Sequence, residues 1–126
     1  KSKTLGALEK VGIENLQDRP IYSLSGGQKK LASIATVLSM NPDILIFDEP
    51  TIALDPKNRR KFINILKELN TTKIITSHDL DLIYDTCTRT ILIDDGKIIA
   101  DGNIKEILTN KQLLEEHNLE LPLSQI

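Results

Sequence analysis

The first forty residues place apolar side chains at helical spacing among polar ones. Leu5, Leu8 and Val11 lie on one face of a predicted opening helix. Gly12 is expected to end this helix. A second helix is predicted over residues 26–40, and apolar residues cover most of its circumference. We therefore expect this second helix to be buried.

The middle of the chain has the pattern of a parallel sheet. Residues 44–47 are continuously apolar and partly β-branched, which predicts a short strand buried on both faces. Asp55 and Pro56 then predict a helix N-cap and the first residue of that helix. A second strand is predicted over residues 73–77. Strand, helix and strand in this order indicate a right-handed βαβ unit with parallel strands.

The last third of the chain predicts a β-hairpin among short helices. Asp95 and Gly96 favour a two-residue turn between strands over residues 90–93 and 97–100. Short helices are predicted over residues 80–84, 103–108 and 112–117. The whole pattern indicates an α/β fold, with a parallel core followed by a hairpin and helices.

Composition and charge narrow the classes of protein. Sixteen basic and eighteen acidic residues give a net charge of −2, which argues against a nucleic-acid binder that works through general charge. The single cysteine, Cys87, favours a reducing compartment and a place in the core. No segment approaches the roughly 20 apolar residues that span a bilayer. Residues 1–3 lead into a helical pattern rather than a signal peptide.

The first chemical marker is the run Leu24-Ser25-Gly26-Gly27-Gln28, at the predicted start of the second helix. Two glycines let backbone N–H groups approach an anion, and the helix N-terminus adds partial positive charge. These properties favour a phosphate cradle. The plain alternative is a serine N-cap with flexible glycines, which is the commoner case for a bare S-G-G sequence.

Asp48 and Glu49 are the second marker, because they end the first predicted strand. A carboxylate at this position can hold Mg²⁺, usually through its waters. The adjacent carboxylate points elsewhere and can deprotonate a water that attacks a γ-phosphate. The alternative is a solvated acidic turn.

His78 is the third marker, one residue past the end of the second predicted strand. Ligands of α/β proteins bind at the carboxyl ends of parallel strands, and a histidine there can donate to a γ-phosphate. An isolated histidine in this place is otherwise a structural residue. Asp55 has a similar alternative, since helix capping also explains it.

In order and spacing, these features resemble the second half of an ABC ATPase. Residues 24–28 match the signature motif, residues 44–49 the Walker B strand, residues 53–55 the D-loop, and His78 the switch histidine. The resemblance covers nearly the whole chain and implies one portion of a P-loop NTPase domain. Three segments are expected, namely a signature helical region (1–41), a core with Walker B, D-loop and switch histidine (42–102) and a helical tail (103–126).

The resemblance also implies roles for single residues. By it, Asp48 holds Mg²⁺ through water, Glu49 is the general base, and His78 contacts the γ-phosphate. The family works as a head-to-tail pair of subunits. ATP bound to the opposite subunit is then contacted by Ser25, Gly26, Gly27, Gln28 and Asp55. ATP and Mg²⁺ are the implied cofactors.

The sequence departs from the family in two ways. Ile52 stands where many members carry a small residue before A-L-D, which bears on the packing of the D-loop. No G-x-x-x-x-G-K-[ST] loop is present, nor the family's Q-loop or adenine-stacking aromatic. These elements normally precede the signature motif, so the resemblance implies that the P-loop half is missing. The chain alone is then expected to bind ATP poorly and hardly hydrolyse it.

Parts of the chain are similar to the energy-coupling-factor group of importers, which take up vitamins or cobalt and nickel. Residues 91–102 resemble the late hairpin of importer ATPases, and residues 28–31 and 119–122 resemble this group. The implied partners are a second ATPase subunit and transmembrane subunits, with no nucleic acid. The implied location is the cytoplasmic face of the cell membrane, held there by those partners.

Two other classes stay open as alternatives. A non-transport ABC ATPase, ribosome-associated or chromosome-type, is disfavoured because residues 52–55 read I-A-L-D rather than N-H-L-D and long coiled coils are lacking. A noncatalytic regulatory fragment is disfavoured by the intact Asp48, Glu49 and His78.

Overall fold

The computed structural model describes residues 2–126 and contains both helices and strands. Lys1, the first residue of the predicted signature region, lies outside the described residues. The backbone divides into two units, one that ends at Ile74 and one that runs from Ile75 to Ile126. This division does not test the three segments expected from the sequence, which remain a prediction.

Every helix and strand that the sequence predicts is present, with boundaries shifted by a few residues. The helices are α1 (Ser2–Lys10), α2 (Gly26–Leu38), α3 (Pro56–Glu68), α4 (Leu80–Thr86), α5 (Ile104–Leu108) and α6 (Lys111–Glu116). The strands are β1 (Ile44–Asp48), β2 (Thr72–Thr76), β3 (Arg89–Asp94) and β4 (Lys97–Asn103). Short 3-10 turns lie at Glu14–Leu16, Ile21–Ser23 and Leu123–Gln125.

The parallel core is confirmed. β1 and β2 are hydrogen-bonded neighbours with parallel strands, and α3 connects them along the chain. Asp55 and Pro56 start α3 as expected, because Pro56 is its first residue and Asp55 is its N-cap. Its apolar residues at helical spacing are buried, namely Phe62, Ile65, Leu66 and Leu69.

The burial predicted for β1 is wrong on one face. Leu45 is 3% exposed and the ring of Phe47 packs edge-on against Phe62 of α3, with centroids 5.8 Å apart. Ile44 and Ile46, which alternate with them, are 56% and 72% exposed. The physical reason is that α3 covers one side of the strand, whereas the other side faces solvent in the described chain.

Burial around α2 is also narrower than predicted. Leu31, Ile34, Ala35 and Leu38 are buried, but Val37 is exposed, so α2 buries one face rather than most of its circumference. The reason is that α1 packs on this single face.

The contact face of α1 differs from the predicted one as well. The buried residues are Ala7 and Val11, while Leu5 is exposed. α1 packs against α2, Ala7 lies on the buried side of α1, and Leu5 lies off that side. Gly12 takes a φ of 65°, the left-handed conformation that ends helices, as expected.

The second unit begins within β2 and contains the predicted hairpin. Asp95 and Gly96 both have positive φ (46° and 70°), as a type I′ turn requires. β3 and β4 pair antiparallel, with an irregularity between Leu92 and Ile93. Arg89 and Asp101 form a two-pronged ion pair across the strands at 2.8 Å for each bond.

An apolar cluster joins the helices of the second unit. Its buried members come from α4, α5 and α6 and are Ile83, Ile104, Ile107, Leu108 and Leu114. Cys87 packs against this cluster, in keeping with the expected place in the core. Among residues 2–126, no helix combines the length and hydrophobicity needed to cross a membrane.

Candidate functional site

The start of α2 is held by a reciprocal pair of hydrogen bonds. The Gln28 N–H donates to Ser25 Oγ at 3.3 Å, and the Ser25 N–H donates to Gln28 Oε1 at 2.9 Å. This is a capping box, so the serine N-cap alternative is correct as a structural description. Ser25 and Gly26 remain exposed to solvent. The surface at the positive end of a 13-residue helix is therefore accessible to an anion.

A side chain at Gly27 would collide with the side-chain amide of Asn58 in its present position. A β-carbon at Gly27 would stand 2.5 Å from Asn58 Nδ2 and 2.7 Å from Asn58 Cγ. Both distances are far below van der Waals contact. The second glycine of the motif thus allows α3 to approach the start of α2 closely.

Asp55 is the N-cap of α3, and both oxygens of its carboxylate accept hydrogen bonds. Oδ1 accepts from the N–H groups of Lys57 and Asn58, at 3.0 and 3.1 Å, and Oδ2 accepts from Asn58 Nδ2 at 2.5 Å. The backbone and side-chain hydrogen bonds from Asn58 hold the pKa of Asp55 below its ordinary value. Asp55 is therefore a charged and oriented group at neutral pH.

The two acidic residues after β1 have different backbone conformations. Asp48 is the last residue of the strand and is exposed, while Glu49 is half-buried with a φ of 43°. The left-handed region costs a residue with a β-carbon roughly 1–2 kcal/mol. Ala53, in the loop that follows, has a φ of 62°. Such local strain is typical of a segment whose shape matters for a site, and it turns Glu49 away from the line of the strand.

The residues present would fit a Mg²⁺ ion only as part of a larger ligand set. Within residues 2–126, no group of three or more His, Cys, Asp and Glu side chains is placed to hold a metal. An exposed Asp48 can offer one carboxylate, directly or through water. Mg²⁺ commonly keeps several waters and takes phosphate oxygens beside one or two carboxylates. The donor set is compatible with that mode of binding.

His78 lies two residues past the end of β2, not one, because the strand ends at Thr76 rather than Ser77. It is exposed and occupies the short link between β2 and α4. Its neighbours shape this link. The Asp79 N–H donates to Ser77 Oγ at 3.0 Å. The Asp79 carboxylate accepts from the N–H of Leu82 at 3.1 Å and so caps α4.

The structure thus brings some of the predicted residues together. The start of α2, with Ser25, Gly27 and Gln28, lies beside the loop between β1 and α3 (residues 49–55, here called the Asp55 loop). Asn58 joins the two, because it contacts Gly27 and donates to Asp55. Asp48 and Glu49 form a second group at the end of β1, in the same unit. His78 belongs to the second unit.

Asn58 also belongs to this group, although the sequence pattern did not indicate it. Its identity has no motif to mark it, and it sits in a polar run that reads as solvated helix surface. The available signal was the pair of a helix N-cap at Asp55 and an asparagine three residues later, a spacing that lets the second side chain reach back.

Comparison with known proteins supports the same family. The model of the family described as "AAA domain, putative AbiEii toxin, Type IV TA system" matches residues 5–84. A Geobacter sulfurreducens protein named "Putative ABC transporter ATP-binding protein GSU1281" is 52% identical over 118 residues, covering 94% of this chain and 47% of that protein. The energy-coupling factor transporter ATP-binding protein EcfA of Methanosphaera stadtmanae is 43% identical, with coverage of 97% and 45%.

Solved structures agree with these relatives. CbiO1 of Clostridium perfringens, described as part of the ABC transporter complex cbiONQ, has a TM-score of 0.79 at 40% identity, covering 98% of this chain and 51% of that one. The structure described as "An inward-facing conformation of a putative metal-chelate type ABC transporter" has a TM-score of 0.84 at 27% identity, with coverage of 93% and 47%. The chain spans about half the length of the curated relatives it matches. It belongs to this AAA-domain family and to the ABC transporter ATP-binding proteins.

Proposed function

We propose that the chain is part of an ATP-hydrolysing subunit that powers the import of a small solute through partner membrane subunits. ABC ATPases use ATP, typically with Mg²⁺, and in general hydrolyse it. The observation that carries the proposal is the exposed, capped start of α2 lying against the Asp55 loop. This arrangement offers oriented N–H groups, a hydroxyl and a fixed carboxylate at one surface.

In the proposed mechanism, this surface acts on nucleotide held by a second, head-to-tail subunit. The N–H groups at the start of α2 and the Ser25 hydroxyl would donate to phosphate oxygens, aided by the helix dipole. Gly26 and Gly27 would permit the close approach, and Gln28 would hold Ser25 in place through the capping box. Asp55 would transmit the state of this surface across the interface between subunits.

The hydrolytic step is proposed for the other group of residues. Glu49 would accept a proton from the attacking water, and Asp48 would hold Mg²⁺ through that ion's waters. His78 would donate a hydrogen bond to the γ-phosphate. Mg²⁺, when bound, neutralises charge on the β- and γ-phosphates. Each of these roles uses a residue at the carboxyl end of β1 or β2.

Alone, the 126-residue chain is proposed to be inactive. It holds no G-x-x-x-x-G-K-[ST] loop, and without the lysine and backbone N–H groups of such a loop the β- and γ-phosphates lack a holder. The three proposed hydrolytic residues would then have no substrate to act on.

The substrate class is proposed from the relatives. EcfA proteins are named for energy-coupling factor transporters, and CbiO1 is described as part of the complex cbiONQ. We infer import of a vitamin or of cobalt or nickel. The partners would be a second ATPase subunit and transmembrane subunits that hold the protein at the cytoplasmic face of the membrane.

ATP hydrolysis by the full-length protein with its membrane partners tests the proposal. Glu49→Gln is expected to lower kcat by roughly 10²–10⁴-fold, the usual worth of a positioned general base, and to trap an ATP-bound dimer. Glu68→Gln, at an exposed position at the end of α3, is the matched control and should leave turnover unchanged. A wild-type protein without nucleotide binding or turnover would overturn the motor function in favour of a noncatalytic role.

A further inference from the structure

One side chain, that of Asn58, joins the signature-motif helix to the loop before α3. A β-carbon built on Gly27 would lie 2.5 Å from Nδ2 and 3.1 Å from Oδ1 of the Asn58 side-chain amide. The amide therefore occupies space that a side chain at Gly27 would need. The same Nδ2 donates to Asp55 Oδ2 at 2.5 Å. A single planar amide therefore contacts both segments that are proposed to face the partner's nucleotide.

We propose that Asn58 is a positioning residue that holds the start of α2 and Asp55 in one fixed arrangement. The inference rests on the proposed function, which it deepens. It adds a residue that belongs to none of the motifs and touches no nucleotide itself. Its effect is exerted through Gly27 and Asp55.

The hydrogen bonds explain why this side chain can act as a rigid spacer. The Asn58 backbone is fixed in the first turn of α3, where its N–H donates to Asp55 Oδ1 at 3.1 Å. Its side chain is fixed by the second bond, to Asp55 Oδ2. Two bonds between the same pair of residues leave the amide little freedom to rotate, so its remaining edge presents a fixed surface to Gly27.

The chemistry of this position is specific. Aspartate at 58 could not donate to Asp55 and would place a second negative charge beside it. Alanine would remove both the spacer and the hydrogen bond. Consistent with a charged acceptor, the hydrogen bonds from Asn58 keep the pKa of Asp55 low. The Asp55 carboxylate is therefore ionised across the neutral pH range in which Asn58 would hold it.

Positioning matters here because a displacement of about 1 Å of a contacting group can cost a reaction up to roughly 10²-fold. If Asn58 is lost, the start of α2 and the Asp55 loop can move independently by such a distance. The nucleotide bound in the subunit's own site would be unaffected. The closure of one subunit on the other would be weakened.

The test uses the full-length protein in the Glu49→Gln background, with the dimer dissociation constant measured by analytical ultracentrifugation at saturating ATP. Asn58→Ala is expected to raise this constant about tenfold, while the melting temperature and the ATP affinity of the monomer stay unchanged. Asn64→Ala, at an exposed position of the same helix, should change none of the three. A purely structural role would lower the melting temperature and leave the dimer constant alone, and this result would overturn the proposal.

A second readout separates this inference from the proposed function. Hydrogen exchange of residues 24–28 should be faster in Asn58→Ala than in Asn64→Ala, with or without nucleotide. If no variant dimerises with ATP but this exchange difference is found, the proposed function fails and the positioning role of Asn58 stands. If dimerisation occurs and neither the dimer constant nor the exchange rate differs between the two variants, the positioning role is refuted.

Discussion

The two units place their side-chain hydrogen bonds in different kinds of location. In the unit that ends at Ile74, the bonds between Ser25 and Gln28 and between Asp55 and Asn58 gather at exposed surface beside Gly27. These bonds do not serve to bury apolar side chains. Their effect is to fix the direction of groups that solvent, or a ligand, can reach.

In the unit from Ile75 onward, comparable bonds tie chain segments over an apolar cluster. The Asp81 carboxylate accepts from the N–H groups of Leu123 and Ser124, both at 3.0 Å. His117 Nδ1 lies 2.6 Å from Asp94 Oδ2, which links α6 to the hairpin turn. The difference is one of placement: these bonds of the first unit orient groups at the surface, whereas the bonds of Asp81 and Asp94 in the second unit join chain segments beside its apolar cluster.

The largest effect is expected at β1, where one face of the strand is buried and the other is exposed. Leu45→Ala is expected to lower the free energy of unfolding by about 2–5 kcal/mol, because Leu45 is buried and its removal leaves a cavity. Ile46→Ala, one residue along on the exposed face, should change it by less than about 0.5 kcal/mol. Urea denaturation of the 126-residue chain measures both values. Equal losses would show that both faces of β1 are packed.

This strand also shows what the sequence could and could not predict. Its position and its end at Asp48 follow from an apolar run closed by breakers, and its parallel pairing with β2 follows from the order strand, helix, strand. Its burial on both faces does not follow, because continuous hydrophobicity records what a strand can tolerate rather than which neighbours cover it. The same reasoning explains Val37, an apolar residue that α1 does not reach.

The contacts of the candidate site also fall into two kinds, those that the sequence indicated and those that it did not. The N-cap roles of Ser25 and Asp55 are local, and the residue types at the two helix starts were enough to indicate them. The contact between Gly27 and Asn58 joins residues 31 positions apart by their numbers. It depends on how α2 and α3 pack, which no local pattern encodes.

A smaller effect is expected at the C-terminal end of the second unit. Asp81→Ala removes the acceptor of two backbone N–H groups and should lower the free energy of unfolding by about 1–2 kcal/mol. Asp85→Ala, an exposed neighbour on α4, is the control. Hydrogen exchange should also quicken at residues 122–126 in Asp81→Ala alone. Unchanged exchange there would mean that the apolar contacts of the tail suffice without Asp81.

The same carboxylate gives the second unit a dependence on pH. Burial opposes ionisation of Asp81, but the hydrogen bonds from Ser124 and Leu123 outweigh it and hold the pKa below its ordinary value. A lowered folded pKa means that the stabilisation is complete above the unfolded value of about 3.9 and is lost as the pH falls through the folded value. Wild type and Asp81→Ala should therefore differ most at neutral pH and converge in acid.

The smallest effect is expected at the Arg89–Asp101 pair, although its two hydrogen bonds are both 2.8 Å long. Its hydrogen bonds raise the pKa of Arg89 and lower that of Asp101, so both groups stay charged from mild acid to mild base. Both side chains are exposed, at 68% and 39%, so water and salt compete with the bond. Asp101→Asn should lower the denaturation midpoint slightly at low salt and not at all in 1 M salt. A loss that persists at high salt would mean that the pair aligns β3 with β4 and is more than a surface contact.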